Sequence, residues 1–181
     1  MPHYLQLRED LLTAFKLKEI QRTGWIYSGL CDVESVAAHS WGVSFLALLL
    51  CPKNLDRNKV LSMCIIHDLG EAIVGDITPK DNIPKEEKYT LELQAIKEIT
   101  KASNIQVEIH QLWEEYEENS TEEAKFVKAC DKLDMALQAT LYSKKNTNFD
   151  PSEFINSALS KMDDEFMILL ASSTANGKNP V

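Results

Sequence analysis

Glycine and proline are scarce in this sequence, six of each among 181 residues. So little punctuation leaves long stretches free to run as helix, and it marks out no linker or repeat. Basic charge is also in deficit: 19 Lys and Arg stand against 28 Asp and Glu, a net charge of −9. That balance opposes a phosphate backbone or an anionic membrane, so neither nucleic acid nor membrane is an expected partner. A small anionic substrate stays open if positive charge is supplied locally. Cysteine is sparse and unpaired in pattern: Cys31, Cys51, Cys64 and Cys130 form no CxxC and sit mostly in apolar stretches. A reduced, cytoplasmic setting is the expectation. The longest apolar run, Val43 to Cys51 with Ser44 inside it, falls well short of the ~20 residues of a spanning helix. Met1-Pro2-His3-Tyr4 shows no basic region followed by an apolar one, so no secretory signal is expected.

What is present fits one all-α domain over residues 1–171, a helical bundle of about seven to eight helices, with residues 172–181 a disordered tail rich in Ser, Asn and Gly. A chain of this length buries roughly 70% of its unfolded surface and needs no structural metal to hold a core. Any metal is therefore expected to work. Apolar spacing predicts helices over Tyr4–Ile20, Val36–Leu50 after a Ser35 cap, Asp56 through His67-Asp68 to Glu71, Pro84–Ala102, Gln106–Glu118, and from Ser120 through Asp131 to Tyr142. A last helix opens at Asp150-Pro151-Ser152-Glu153. The Val36–Leu50 helix is apolar nearly all round, which predicts a central, buried element.

His67-Asp68 carry the first chemical signal. They stand among Met63-Cys64-Ile65-Ile66 and Leu69, where an ionised Asp costs several kcal/mol unless a charge offsets it. A divalent cation is one such charge. His39 lies inside the apolar Val36–Leu50 helix and needs partners for its ring nitrogens. Asp131 repeats the pattern between Ala129-Cys130 and Leu133. Two imidazoles and two carboxylates suit Mn, Fe, Co, Ni or Zn, with Mg less favoured. Singly, each residue has an ordinary reading: a satisfied core His39, a commonplace His-Asp dipeptide, an Asp131 paired with Lys128 one turn earlier. The ordered set His39…His67-Asp68…Asp131 is what turns the argument toward a metal.

That ordered set resembles the HD-domain metal-dependent phosphohydrolases, and within them the small 5′-deoxynucleotidase group. Arg22-Thr23-Gly24-Trp25, Glu34 to Ser40, His67-Asp68-Leu69-Gly70-Glu71, Gly75-Asp76-Ile77 and Lys125 to Asp131 look like that group's motifs in its order. The resemblance covers about Leu5 to Tyr142. It implies that His39, His67, Asp68 and Asp131 hold one divalent ion (Mn, Co, Zn, Ni, Fe or Mg), that Glu71 and Asp76 are catalytic, and that Arg22 binds the substrate phosphate. The implied reaction is hydrolysis of a nucleoside 5′-monophosphate, preferentially a 2′-deoxyribonucleotide, and the implied assembly a homodimer. Some members place a Trp directly after the arginine, screening the 2′ position; here Thr23 follows and Trp25 comes two later.

Two further readings keep part of this evidence. One is an HD-type nucleoside triphosphate hydrolase or cyclic-nucleotide phosphodiesterase, against which stands the lack of an obvious extra basic set for three phosphates. The other is a non-catalytic metal- or nucleotide-binding module. Dinuclear members of the superfamily use extra histidines between the His-Asp pair and the last Asp, and only His110 lies in that interval. His110 and His3 read as surface residues, Trp41 and Trp113 as core aromatics, and the run Glu114-Glu115-Tyr116-Glu117-Glu118 as a solvated face.

Overall fold

The protein is described by a computed structural model over residues 2–172, and these residues form helices and no strands. In chain order they are α1 (His3–Ala14), a 3-10 turn (Phe15–Lys18), α2 (Thr23–Tyr27), α3 (Val36–Leu50), α4 (Arg57–Ile66), α5 (Glu71–Val74), a second 3-10 turn (Pro79–Asp81), α6 (Lys85–Ile99), α7 (Gln106–Glu118), α8 (Glu122–Lys145), α9 (Ser152–Leu159) and α10 (Glu165–Ser172). The all-α expectation holds, with eight longer helices and two short ones, α2 and α5. The expected tail falls outside the described residues except for Ser172, which closes α10.

Side-chain caps set where the two central helices begin. Ser35 Oγ accepts the Ala38 amide at 3.2 Å to open α3, and Thr121 Oγ1 accepts the Ala124 amide at 3.2 Å to open α8. Each satisfies a donor that a helix start leaves unpaired. Glu122 and Glu123 in the first turn of α8, and Lys144 and Lys145 in its last, complement the helix dipole. α8 is the axis of the bundle and packs on α3, α4, α7, α9 and α10. Between these helices lies the main core, with Val43, Met63, Cys64, Val127, Cys130 and Leu133 fully buried.

Several boundaries differ from those the periodicity predicts. α1 stops at Ala14, and a tighter turn brings Leu17 against Val36, Ala72 and Ile99. Residues 23–27, expected as loop, make the short helix α2, because one helical turn buries Trp25 among Tyr142, Phe149 and Phe154. α4 ends at Ile66, so His67-Asp68 lie in the turn after it rather than within a helix. There His67 Nδ1 bonds the Cys64 carbonyl at 2.8 Å, and the Trp113 indole donates to the His67 carbonyl at 3.2 Å. Helix-end carbonyls are satisfied this way instead of by another turn. Near the C-terminus, Asp164 caps a separate helix, accepting the Met167 amide at 2.8 Å.

α3 is central but not buried all round. Trp113 is fully buried, as expected of a core aromatic, whereas Trp41 is 69% exposed. Its ring stacks on Phe45 at 5.5 Å on an outer face that also bears Leu48 and Leu49. Uniform apolarity carries no information about which face points inward. No helix among the described residues is long and apolar enough to cross a membrane.

Candidate active site

Three core elements deliver one donor cluster. His39 comes from the first turns of α3, His67 and Asp68 from the turn after α4, and Asp131 from the third turn of α8. His39 Nε2 lies 3.4 Å from His67 Nε2, 3.3 Å from Asp131 Oδ1 and 3.6 Å from Asp68 Oδ2. His67 Nε2 lies 3.2 Å from Asp68 Oδ2. Nitrogen and oxygen ligands about 2.0–2.2 Å from one ion stand about 3.0–3.5 Å apart, so this spacing fits a shared divalent cation. His39, His67 and Asp131 form a compact candidate metal site, their ligand atoms mutually within 4.8 Å. Asp68 reaches both imidazoles from the side of Arg22.

The charges around this cluster are strongly coupled. Burial would raise the Asp68 carboxyl, but His67, His39 and Arg22 hold it well below the usual range. Burial likewise opposes ionisation of Asp131, and Lys132 with the two histidines outweighs it. The lysine that pairs with Asp131 is Lys132, at 2.8 Å, and not Lys128, which lies over the Tyr116 ring. At His39, burial and the Arg22 charge oppose protonation, yet hydrogen bonds to Asp131 and Asp134 raise the ring to about 9.

Arg22 is fixed by backbone before its side chain is used. Its amide donates to the Glu34 carbonyl at 3.0 Å, beside the single bridge between Gln21 and Ser35. Its guanidinium then reaches Asp68 Oδ2 at 3.5 Å and Asp76 Oδ1 at 3.9 Å. Burial disfavours the cation, but Asp68, Asp76 and Glu71 hold it charged. Asp76 also accepts the Thr23 amide through Oδ2 at 2.5 Å. Glu71 opens α5 and is 3% exposed, and its Oε2 has no hydrogen-bond partner among the described residues. Burial, and then Asp68 and Asp76, push its carboxyl well above the usual range. A carboxyl on the cavity wall with a free oxygen is placed to act on a water held there.

Arg22, His67, Asp68, Glu71, Asp76 and Asp131 all line one cavity of about 450 Å³. Lys80, Lys88, Lys128, Lys132 and Lys161 line it too. These lysines are scattered through the sequence, so the extra basic set that looked absent is assembled by folding. It does not make the cavity basic: six cations face seven carboxyl groups there. Trp25 does not stand as a free screen beside Arg22. It is 2% exposed, donates its indole N–H to Glu34 Oε1 at 2.9 Å and packs on Phe154.

His110 and His3 stay outside the cluster, His110 bonding Thr100 Oγ1 and His3 the Ala102 carbonyl. Asp134, absent from the sequence expectations, meets His39 Nδ1 at 2.7 Å. Its place three residues after Asp131, on the same helix face, was the available signal.

Residues 14–170 match the model of an HD domain family, and the chain belongs to that family. Among named relatives, it is 38% identical over 167 residues to "5′-deoxynucleotidase HDDC2" of Mus musculus, covering 91% of this chain and 84% of that protein. It is 45% identical over 140 residues to the protein of the same name from Dictyostelium discoideum, covering 72% and 74%. A solved structure of a conserved hypothetical protein from Pyrococcus furiosus superposes with a TM-score of 0.72 at 39% identity, covering 84% of this chain and 87% of that one.

Proposed function

We propose that this protein is a phosphoric monoester hydrolase that cleaves 2′-deoxyribonucleoside 5′-monophosphates to nucleoside and phosphate with the help of one divalent metal ion. The observation that carries the reading is the convergence of His67, Asp68 and Asp131 with Arg22 and Glu71 on one cavity, with the buried His39 completing the donor cluster behind it. Relatives at 38% and 45% identity that are named 5′-deoxynucleotidase supply the reaction class.

His39, His67, Asp68 and Asp131 would hold the ion, whose chemistry is Lewis acidity toward a phosphate oxygen and toward water. Every other step belongs to the chain. The Arg22 guanidinium presents two parallel N–H donors to the non-bridging phosphate oxygens and neutralises charge that builds as the bond breaks. Glu71 Oε2 orients a water toward phosphorus and takes its proton. The water oxygen bonds to phosphorus, the P–O5′ bond breaks, and the 5′-oxygen leaves as the nucleoside hydroxyl, gaining a proton from solvent while Glu71 returns to solvent the one it took. Asp76 holds the Arg22 segment through the Thr23 amide and faces the sugar side. The near balance of cations and carboxyl groups in the cavity favours a monophosphate over a triphosphate.

A homodimer is the matching assembly, supported by the exposed stack of Trp41 on Phe45 with Leu48 and Leu49. Four free cysteines support a cytoplasmic setting. The test is phosphate release from 5′-dNMPs, 5′-NMPs, 3′-monophosphates, cyclic nucleotides and dNTPs, each with Mn²⁺, Co²⁺, Zn²⁺, Ni²⁺, Fe²⁺ or Mg²⁺. The 5′-dNMPs are expected to turn over fastest, and chelation to stop them. No phosphate from any 5′-dNMP with any of these ions would end the reading.

A further inference from the structure

We propose that Asp134 is a positioning residue: its carboxylate accepts a hydrogen bond from the Nδ1–H of His39 and so directs the Nε2 lone pair of that ring at the ion. The inference rests on the reading of His39 as a metal ligand. Its basis is geometric. Asp134 Oδ2 lies 2.7 Å from His39 Nδ1, across 95 residues of sequence and between α3 and α8. The His39 ring is fully buried.

α8 therefore holds both edges of one imidazole. Asp131 faces Nε2 at 3.3 Å, and Asp134, three residues later on the same face, faces Nδ1. His67 is oriented by a different device, its Nδ1 bonding the Cys64 carbonyl of its own helix end. Of the two proposed ligand rings, it is that of His39 whose Nδ1 meets a carboxylate from another helix. Glu34 also lies close to His39 and Asp134, but its Oε1 accepts the Trp25 indole N–H.

A second, independent observation concerns Gly42. Glycine inside a helix costs about 1 kcal/mol relative to alanine, so its presence in the middle of α3 needs a reason. A Cβ on Gly42 would stand 2.1 Å from Asp134 Oδ1 and 3.0 Å from its Cγ. The missing side chain on α3 is the space that the Asp134 carboxylate fills. A ligand imidazole whose other nitrogen is tied to a carboxylate has a fixed tautomer and a more basic donor atom, and removal of such a partner weakens metal binding about 10–100-fold.

The experiment is calorimetric titration of ion-free, full-length protein with Co²⁺, together with the visible absorption of the bound ion. Asp134→Ala is expected to weaken the Kd about 10–100-fold. Asp134→Asn, isosteric and still an acceptor, should lose less and carries the test if the alanine variant does not fold. Gly42→Ala, which touches no ligand, should also weaken binding and shift the Co²⁺ spectrum, because its methyl group displaces the carboxylate. Kd values within twofold of the parent in Asp134→Ala and Asp134→Asn, with binding lost in His39→Ala, would overturn the positioning role alone. Unchanged binding in His39→Ala would instead overturn the ligand assignment, and the positioning role with it.

Discussion

The Thr23 amide donates to Asp76 Oδ2 at 2.5 Å and joins the start of α2 to the segment after α5, 53 residues away. Arg22 precedes that amide by one residue, so Asp76 sets where the guanidinium stands. This relationship separates two roles for Asp76. Asparagine keeps an oxygen that can accept from Thr23 but cannot supply a proton. Asp76→Asn is therefore expected to keep several-fold more kcat/KM than Asp76→Ala. Equal, deep losses in both variants, measured by phosphate release, would instead mark Asp76 as a proton donor.

Glu71→Gln removes the oxygen that accepts a proton while nearly conserving shape. We expect kcat to fall about 10²–10⁴-fold. Co²⁺ affinity should change little, since Glu71 is not among the proposed ligands. Because burial beside Asp68 and Asp76 disfavours its ionised form, the amide should also raise the melting temperature of ion-free protein. A variant with parental turnover would remove Glu71 from the mechanism.

Glu92 gives the fold a pH dependence. It is 5% exposed, and burial raises its carboxyl to about 7 although Lys88 opposes the shift. The folded state thus binds this proton more tightly than the unfolded chain does. The stabilisation is complete below the unfolded value near 4.5 and is lost as the pH rises through about 7. Its size is at most about 3 kcal/mol. Glu92→Gln, which stays neutral, should flatten the fall in stability between about pH 5 and 8. Denaturant midpoints of chelated parent and variant across that range read the difference, and parallel pH curves would contradict it.

Trp41 and Phe45 stack in the open, with Trp41 69% exposed. If a second copy covers them, sedimentation velocity will give a dimer for the parent and a 20.5 kDa species for Trp41→Glu/Phe45→Glu. Ion-free melting should be nearly unaffected in the monomer, since neither ring serves the main core. A monomeric parent at micromolar concentration would rule this face out as the dimer contact.

The sequence was most readable where local chemistry decides structure. Ser35 placed the start of α3, and apolar matter around His67, Asp68 and Asp131 pointed to buried charge in need of a counter-ion. It was silent where tertiary contact decides. His67-Asp68 read as mid-helix because the pattern continues past Ile66, while the turn is made by Cys64 and Trp113 meeting His67. Trp41 read as core because α3 is apolar on every side. Asp134 gave no signal of its own in the sequence beyond its spacing from Asp131, because the space held for it is made by Gly42 on the facing helix. The lysines of the cavity are far apart in sequence, and their gathering is a property of the bundle.

The donor atoms of the cluster sit on α3, on the turn after α4 and on α8, whose mutual packing also makes the main core. His39 and His67 are 28 residues apart, and a tie between them closes a loop that the unfolded chain leaves open. An occupied site would therefore act as a removable cross-link as well as a reaction centre. Proteases that cut transiently opened protein would then report ion loss directly, with chelation exposing the segment between α3 and α4 sooner than the loaded enzyme does.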